Sequence, residues 1–388
     1  MTVVYILNST YPFGGSFKSF MSMLEGLMER EVNPIVVVPD EDGIYKVLQE
    51  KNIKTVVTCF RPNTYPHRST LKDLIWFIPK LIARRIVNRR AVSYLVKTLQ
   101  NKQIDLVHTN VSVIDIGLRL ARKIGVSHVF HIREYGDLDF HEIYYPTFSA
   151  FHLILKEKSY SICITKHIQE HHGLVNNPKS IVVYNGIDVP EIDVTNLSKE
   201  GYFLFAGRID SSKGLHVLLK AYADYILHSS VKRQLLIAGD LDKIAYYDHL
   251  QQIIKEHNLS SQVKFLGGRK DIYQLMQRAA AIVIPSRFEG FGRCMAEAMM
   301  NGCLVIGHNT AGLKEQFDNG LDFSGREIGL RYMTVSELSM RLLQVDKMTN
   351  EGMKQYTMNA YATAHALYPS SVNVERIYQF YNQIIKQK

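Results

Sequence analysis

The sequence predicts an α/β protein made of two doubly wound parallel-sheet domains, and three observations predict it. The chain has 388 residues, more than one ordinary hydrophobic core serves, so two domains are the default. Short, wholly apolar runs recur between stretches of helical periodicity in both halves, the mark of strands buried on both faces. The alternation breaks once, over residues 189–201, where Pro190, Glu191, Asp193, Asn196, Ser198, Lys199 and Glu200 raise the turn and charge content. That stretch is the expected linker.

In the first half, strands are expected at residues 3–7, 35–38, 55–59, 104–109, 127–132, 161–165 and 181–184, with helices at about 16–30, 44–51 and 114–124. Doubly wound sheets bind ligands in loops beyond the carboxyl ends of their strands, and three such loops stand out. Loop 8–17 carries Gly14 and Gly15 ahead of a helix, where backbone amides can face a diphosphate; Pro-Phe-Gly-Gly also suits a plain turn. His131-Ile132-Arg133-Glu134 puts an imidazole and charges at a strand end, a setting for binding or chemistry as well as for a structural histidine. Tyr184-Asn185-Gly186-Ile187-Asp188 holds an Asn-Gly turn dipeptide.

The second half restarts the pattern, with strands expected at 202–206, 234–238, 263–266, 280–284 and 303–306. Helices are expected at 215–227, 243–257, 271–278, 295–300, from about 313, and at 335–345, 351–367 and 371–385. After the first of these strands, Arg208 and Lys213 flank a turn and are placed to clamp two phosphates, Arg by forked hydrogen bonds and Lys as a point charge; a solvated pair is the alternative. The third strand ends in Gly267-Gly268-Arg269. Residues 285–302 form the most informative stretch. Pro285 stops a strand, Gly290 and Gly292 flank Phe291 at the mouth of a helix, and Gly302 is placed to end it. Glu289 lies in the loop and Glu297 in the helix. First-turn amides accept phosphate and a carboxylate can hold two adjacent hydroxyls, so the stretch suits a ligand bearing both. A tight turn with a solvated glutamate would have the same local sequence.

Composition narrows the class. With 46% hydrophobic and 21% charged residues the chain is globular. Cys59, Cys163, Cys294 and Cys303 show no CxxC spacing, which fits reduced thiols of a cytosolic protein and no metal cluster. Asp240-Leu241-Asp242 reads as a helix cap rather than a metal site. The amino-terminal apolar run is a first strand, not a signal peptide, and no stretch approaches the roughly 20 apolar residues of a membrane span. The net charge of +9 calls for an acidic partner. Between Lys72 and Lys102, the basic residues Lys80, Arg84, Arg85, Arg89, Arg90 and Lys97 interleave with Leu74, Ile75, Trp76, Phe77, Ile78, Ile82 and Ile86. This is the composition of a basic amphipathic helix pair lying on an anionic membrane surface; a helix packed on its own domain with a solvated rim is the alternative. No nucleic-acid motif accompanies the charge, so nucleic acid is not an expected partner.

In their order and spacing these motifs resemble the large retaining glycosyltransferase family of GT-B fold, family 4 (group 1). Glu289 and Glu297 match its Glu-x7-Glu element, Gly207-Arg208 and Lys213-Gly214 its Gly-Arg…Lys-Gly loop, Asn185 to Asp188 its Asn-Gly-Ile-Asp turn, and Gly14-Gly15 its amino-terminal glycine loop. The resemblance implies two Rossmann-like domains facing a central cleft: residues 1–189 for the acceptor, 190–368 for the nucleotide sugar, and a last helix, 369–388, crossing back to the first domain. It implies that Arg208 and Lys213 hold the donor diphosphate and stabilise the leaving nucleoside diphosphate. Glu297 would take the ribose hydroxyls and Glu289 those of the donor sugar, beside the amides of Gly290, Phe291 and Gly292. His131 would lie near the sugar's reacting carbon, Arg269 near the base, and Thr310 and Gly312 along the phosphates. The chain departs from the family at Ile132-Arg133-Glu134, where an acidic residue often follows the histidine directly. It also departs at Leu304, where proline is usual, and at Arg293, where an apolar residue is common and a cation could add phosphate affinity.

The implied reaction needs no cofactor beyond the nucleotide-sugar substrate, a UDP-sugar being favoured, and no metal if Arg208 and Lys213 supply the charge. With no obvious nucleophile, retention would come from front-face attack by the acceptor. That acceptor would be a glycan, lipid-linked in the assembly of a bacterial surface polysaccharide such as a capsule, with the protein in the cytoplasm on the inner face of the membrane. Loops 62–69 and 134–145 would shape specificity. Three other readings compete. A nucleotide-sugar epimerase of this architecture would convert donor without acceptor. A non-catalytic, membrane-associated sugar-nucleotide-binding protein would bind donor without release. A basic nucleic-acid binder would be separated by filter binding competed with donor.

Overall fold

The structure is a computed structural model that describes residues 1–8, 14–66 and 70–387. Residues 9–13 of the first glycine loop and 67–69 of loop 62–69 lie outside the described residues. The chain divides into two compact units, residues Met1–Gly186 with Ser370–Lys388, and Ile187–Pro369.

The first unit opens with β1 (Thr2–Ile6), α1 (Gly15–Met28), β2 (Asn33–Val38), α2 (Ile44–Glu50) and β3 (Thr55–Val57). The helices α3 (Leu71–Ile75) and α4 (Phe77–Leu99) follow, then β4 (Leu106–Thr109), α5 (Ile116–Ile124) and β5 (Ser127–Ile132). The short α6 (Asp137–Phe140), α7 (Phe148–Lys158), β6 (Tyr160–Cys163), α8 (Lys166–His171) and β7 (Ser180–Val182) complete this part. The strands form one parallel sheet in the order β3-β2-β1-β4-β5-β6-β7. Val4, Ile6, Val37 and Val107 face one core and Val3, Tyr5, Val36 and Leu106 the other, which is why these strands are apolar at every position rather than alternating.

The second unit repeats the plan with β8 (Phe203–Ala206), α9 (Leu215–His228), β9 (Leu235–Ala238), α10 (Ile244–Glu256), β10 (Val263–Gly267) and α11 (Ile272–Arg278). Then come β11 (Ala281–Ile284), α12 (Arg293–Met300), β12 (Val305–His308), α13 (Ala311–Ser324), β13 (Leu330–Tyr332), α14 (Val335–Lys347) and α15 (Asn350–Leu367). Its parallel sheet runs β10-β9-β8-β11-β12-β13. Residues expected as a linker dock on this unit: Lys199 Nζ donates to the carbonyls of Gln277 and Gly302, each at 2.8 Å. The last helix, α16 (Ser370–Lys386), returns to the first unit. There Val374, Ile377, Phe380, Tyr381 and Ile384 share a core with Phe17, Phe20, Leu24 and Leu27 of α1, as the resemblance implied.

Four elements lie where the sequence reading assigned none. α7 begins at Thr147, whose hydroxyl accepts from Ala150 N and caps the helix. α6 and α8 are 4 and 6 residues long, and β13 is a 3-residue edge strand. All are short, or locally polar, relative to the periodicity that reveals longer elements.

The basic region splits into a docked half and an undocked half. Ala91, Val92, Leu95 and Leu99 of α4 enter the core over β1 and β4. The apolar residues of α3 and the first half of α4 remain exposed: Leu71 75%, Leu74 54%, Ile75 68%, Trp76 52%, Ile78 57% and Ile82 52%. Pro79 is tolerated because it lies in the first turn of α4, where its missing N–H has no helical partner to lose. Among the described residues no helix is long and apolar enough to cross a membrane.

Candidate active site

In each sheet the strand order reverses once, between β1 and β4 and between β8 and β11, and ligands of open α/β sheets bind at such switch points. The second unit's switch point carries the two loops richest in charge and glycine. After β8, Asp210 folds the loop. Its Oδ1 accepts from Ser212 N at 2.8 Å and from the Ser212 hydroxyl, closing the 3-10 turn Ser211–Lys213. Its Oδ2 accepts from Arg208 Nε at 2.6 Å. Burial works against the Asp210 charge, but the Ser212 and Arg208 donors outweigh it and hold the carboxyl below its usual range. Arg208 is thereby aimed while half of its side chain stays exposed.

After β11, Pro285 leads into the loop that contains Glu289, and α12 starts at Arg293. Gly292 caps that helix at φ +85°, a left-handed conformation that favours glycine, and a Cβ there would lie 2.5 Å from Leu313 Cδ2. The loop is pinned by α13: Gly312 N donates to Glu289 O at 2.9 Å, and Gln316 Nε2 donates to the carbonyls of Phe291 and Gly292 at 2.5 and 3.1 Å. A Cβ on Gly312 would meet the Gly290 carbonyl oxygen at 2.6 Å, so only glycine permits this approach. Phe291 anchors the loop from below, edge-on to Tyr368 with centroids 5.2 Å apart.

The two loops meet through Lys213 Nζ and Glu289 Oε1, 2.6 Å apart. Their side chains keep 29% and 17% of their surface exposed. Desolvation opposes the Lys213 charge, but the attraction and hydrogen bond of Glu289, with Asp210 behind it, raise its pKa above the ordinary lysine value. One turn along α12, Arg293 Nη2 donates to Glu297 Oε1 at 3.1 Å. Thr310, after β12, donates from Oγ1 to the Arg287 carbonyl at 2.5 Å. Arg269 is not drawn into this group: it lies past Gly267 on the outer strand β10 and forks onto Asp271 through Nε and Nη2 at 2.7 and 2.5 Å.

In the first unit, Gly14 caps α1 and its carbonyl accepts from Phe17 and Lys18 N, with Gly15 opening the helix after β1. His131, wholly buried at the end of β5, stands edge-on to His108 of β4 with centroids 5.3 Å apart. Burial, then the Arg133 guanidinium, then His108 push its pKa well below the ordinary imidazole value. Arg133 Nη2 lies 3.3 Å from His131 Nδ1, while Nη1 donates to Asn185 Oδ1 at 2.6 Å and Nε to Asn110 Oδ1 at 3.0 Å. Asn185 thus joins His131 through a residue that the sequence reading left without a role. Sequence alone gives Asn110, Ser112 and Asp210 no role either; each lies just past a strand end, and that position is the signal that points to them. Glu134 Oε1 accepts from Ser112 N and Oγ at 2.7 and 2.8 Å, and Tyr144 Oη lies 2.8 Å from the same hydroxyl.

Comparison with known proteins follows the same division. The family model described as "Glycosyl transferases group 1" matches residues 190–326, and that described as "Glycosyltransferase Family 4" matches residues 13–191. An uncharacterized glycosyltransferase of Methanocaldococcus jannaschii is 25% identical over 237 residues, 58% of this chain and 64% of that protein. The N-acetylgalactosamine-N,N'-diacetylbacillosaminyl-diphospho-undecaprenol 4-alpha-N-acetylgalactosaminyltransferase of Campylobacter jejuni is 30% identical over 171 residues, 43% of each chain. In both relatives the matched part is less than two thirds of their own length. Among solved structures, Anabaena HepE in complex with UDP superposes with a TM-score of 0.78 at 19% identity, covering 99% of this chain and 100% of that one. This likeness places the fold in the GT-B class.

Proposed function

Since the chain belongs to the glycosyltransferases of group 1 and family 4, we propose that it moves a sugar, with retention, from a nucleoside-diphosphate donor to a lipid-linked glycan. The donor in this reading is a UDP-sugar, and the product a bacterial surface polysaccharide assembled at the cytoplasmic face of the membrane. The observation that carries the reading is the contact between Lys213 and Glu289 at the second switch point. A cation and a carboxylate held at one spot match the two faces of a sugar diphosphate, one anionic and one hydroxylic. The pair is largely buried, so each partner needs a replacement when the other leaves, and a bound donor supplies both, phosphate for Lys213 and hydroxyls for Glu289.

Cleaving the glycosyl–phosphate bond builds negative charge on the departing diphosphate and oxocarbenium character on the sugar. Lys213 and Arg208 stabilise the first, together with the amino-terminal turn of α12, whose cap Gly292 supplies no competing side chain. Lys213 stays protonated because Glu289 and Asp210 surround it. Glu289 orients the sugar hydroxyls and Glu297 those of the ribose. The acceptor hydroxyl attacks on the face the diphosphate leaves, and the leaving phosphate oxygen takes its proton. The lipid-linked acceptor draws support from the Campylobacter relative, named for a diphospho-undecaprenol substrate, and the uridine donor from the UDP bound in HepE.

Lys213→Ala and Glu289→Ala should each lower transfer about 10²-fold or more, measured as nucleoside diphosphate released with acceptor present. Wild-type turnover in both variants would remove the site. Epimer formed from donor alone would replace transfer with isomerisation.

A further inference from the structure

We infer that Arg133 is a positioning residue for His131: by donating to Nδ1 it fixes the ring in the tautomer that carries its proton on Nε2, so that His131 presents a hydrogen-bond donor to an oxygen of the bound substrate. The inference rests on the reading of His131 as a site residue. A guanidinium has donors and no acceptor. The contact of Arg133 Nη2 with His131 Nδ1 at 3.3 Å therefore requires the lone pair on Nδ1. A buried ring beside a cation is neutral, and its single proton is then on Nε2. That nitrogen is buried and has no hydrogen-bond partner among the described residues. A buried donor left unmet is destabilising, and such a group calls for a partner that a bound ligand can supply.

Arg133 is well placed for the task. Asn110, beyond β4, and Asn185, beyond β7, hold its Nε and Nη1 at 3.0 and 2.6 Å, so the fork approaches His131 from a fixed direction. Among the described residues, the titratable groups that act on His131 are Arg133 itself and His108 of β4. Beyond His108 stand Tyr5 of β1, its ring 5.3 Å away, and Tyr381 of α16, whose hydroxyl lies 2.5 Å from His108 Nδ1. Among the described residues that bear on His131, Arg133 is the donor fixed in charge, and its contact decides which nitrogen of His131 accepts.

Long-range proton–nitrogen NMR correlation on the full chain labelled with 15N-histidine reads the tautomer directly, with His131→Asn providing the assignment. Wild type should show one neutral Nε2–H pattern that does not titrate near neutral pH. Arg133→Met should show mixed tautomers, with kcat lowered about tenfold or more and little change in donor KM. Arg133→Lys, which keeps the charge and one donor, should retain most of the wild-type pattern and serves if the methionine variant does not fold. An Nδ1–H pattern in wild type, or an unchanged pattern in Arg133→Met, overturns the inference. A wild-type rate in His131→Ala with the tautomer result intact would instead refute the placing of His131 in the site.

Discussion

Glu134 is a carboxyl held where its charge is unwelcome. Burial pushes its pKa up to about 7, against the pull of the Ser112 donors. The consequence for stability has a definite sign. A group bound more tightly to its proton in the folded state stabilises the fold most below its unfolded pKa, near 4.5, and that contribution is lost as pH rises through about 7. A difference of about 2.5 pKa units corresponds to about 3 kcal/mol. Glu134→Gln carries no such charge, so its stability relative to wild type should improve by up to about 3 kcal/mol between acid and mildly alkaline pH. Unfolding curves for both proteins across that range check it, and parallel curves would contradict it. The same residue shows how far sequence goes. That a carboxylate followed the strand-end histidine was plain from the chain, whereas its burial against Ser112 and Tyr144 depends on β4 lying beside β5 and on a loop that reads as unstructured.

At the scale of elements, α16 ties the end of the chain to the sheet. Its apolar face packs on α1, and Tyr381 reaches the buried His108. Tyr381→Phe keeps the ring and removes the hydroxyl, leaving His108 Nδ1 buried without that partner. It should cost about 1–3 kcal/mol, seen as a lower Tm, and an unchanged Tm would mean that the bond contributes nothing net. Most elements were legible because an apolar strand in a parallel sheet announces itself at every position, as in residues 281–284. α8, with only Ile168 buried, and the 3-residue β13 offered no comparable signal. The charged loops were legible for the same reason, since they follow such strands. What pairs with what was not: Lys213 and Glu289 are 76 positions apart, and they meet because β11 inserts beside β8 out of chain order.

For the molecule as a whole, the charge of +9 is not spread evenly in meaning. Two of the arginines in the basic region are used internally: Arg84 Nη1 donates to Thr64 O at 2.6 Å, and Arg85 lies over the Tyr145 ring at 4.4 Å. Arg89 and Arg90 are exposed on the same helix that bears Ile78, Ile82 and Ile86 toward solvent. Basic residues near an anionic bilayer contribute about 1 kcal/mol each. Arg89→Glu with Arg90→Glu should therefore cut sedimentation with anionic vesicles at least tenfold and leave transfer to a short soluble acceptor unaffected. Unchanged partitioning would assign the exposed apolar face to something other than lipid. In the proposed reaction the second unit's switch point grips the donor by its diphosphate, and a crystal soaked with a UDP-sugar decides whether it does. The diphosphate should lie within hydrogen-bond reach of Lys213 and Arg208 at the start of α12, with Glu297 on the ribose and Glu289 turned from Lys213 to the sugar. A diphosphate seated away from the loops after β8 and β11, with the Lys213–Glu289 pair intact, would contradict it.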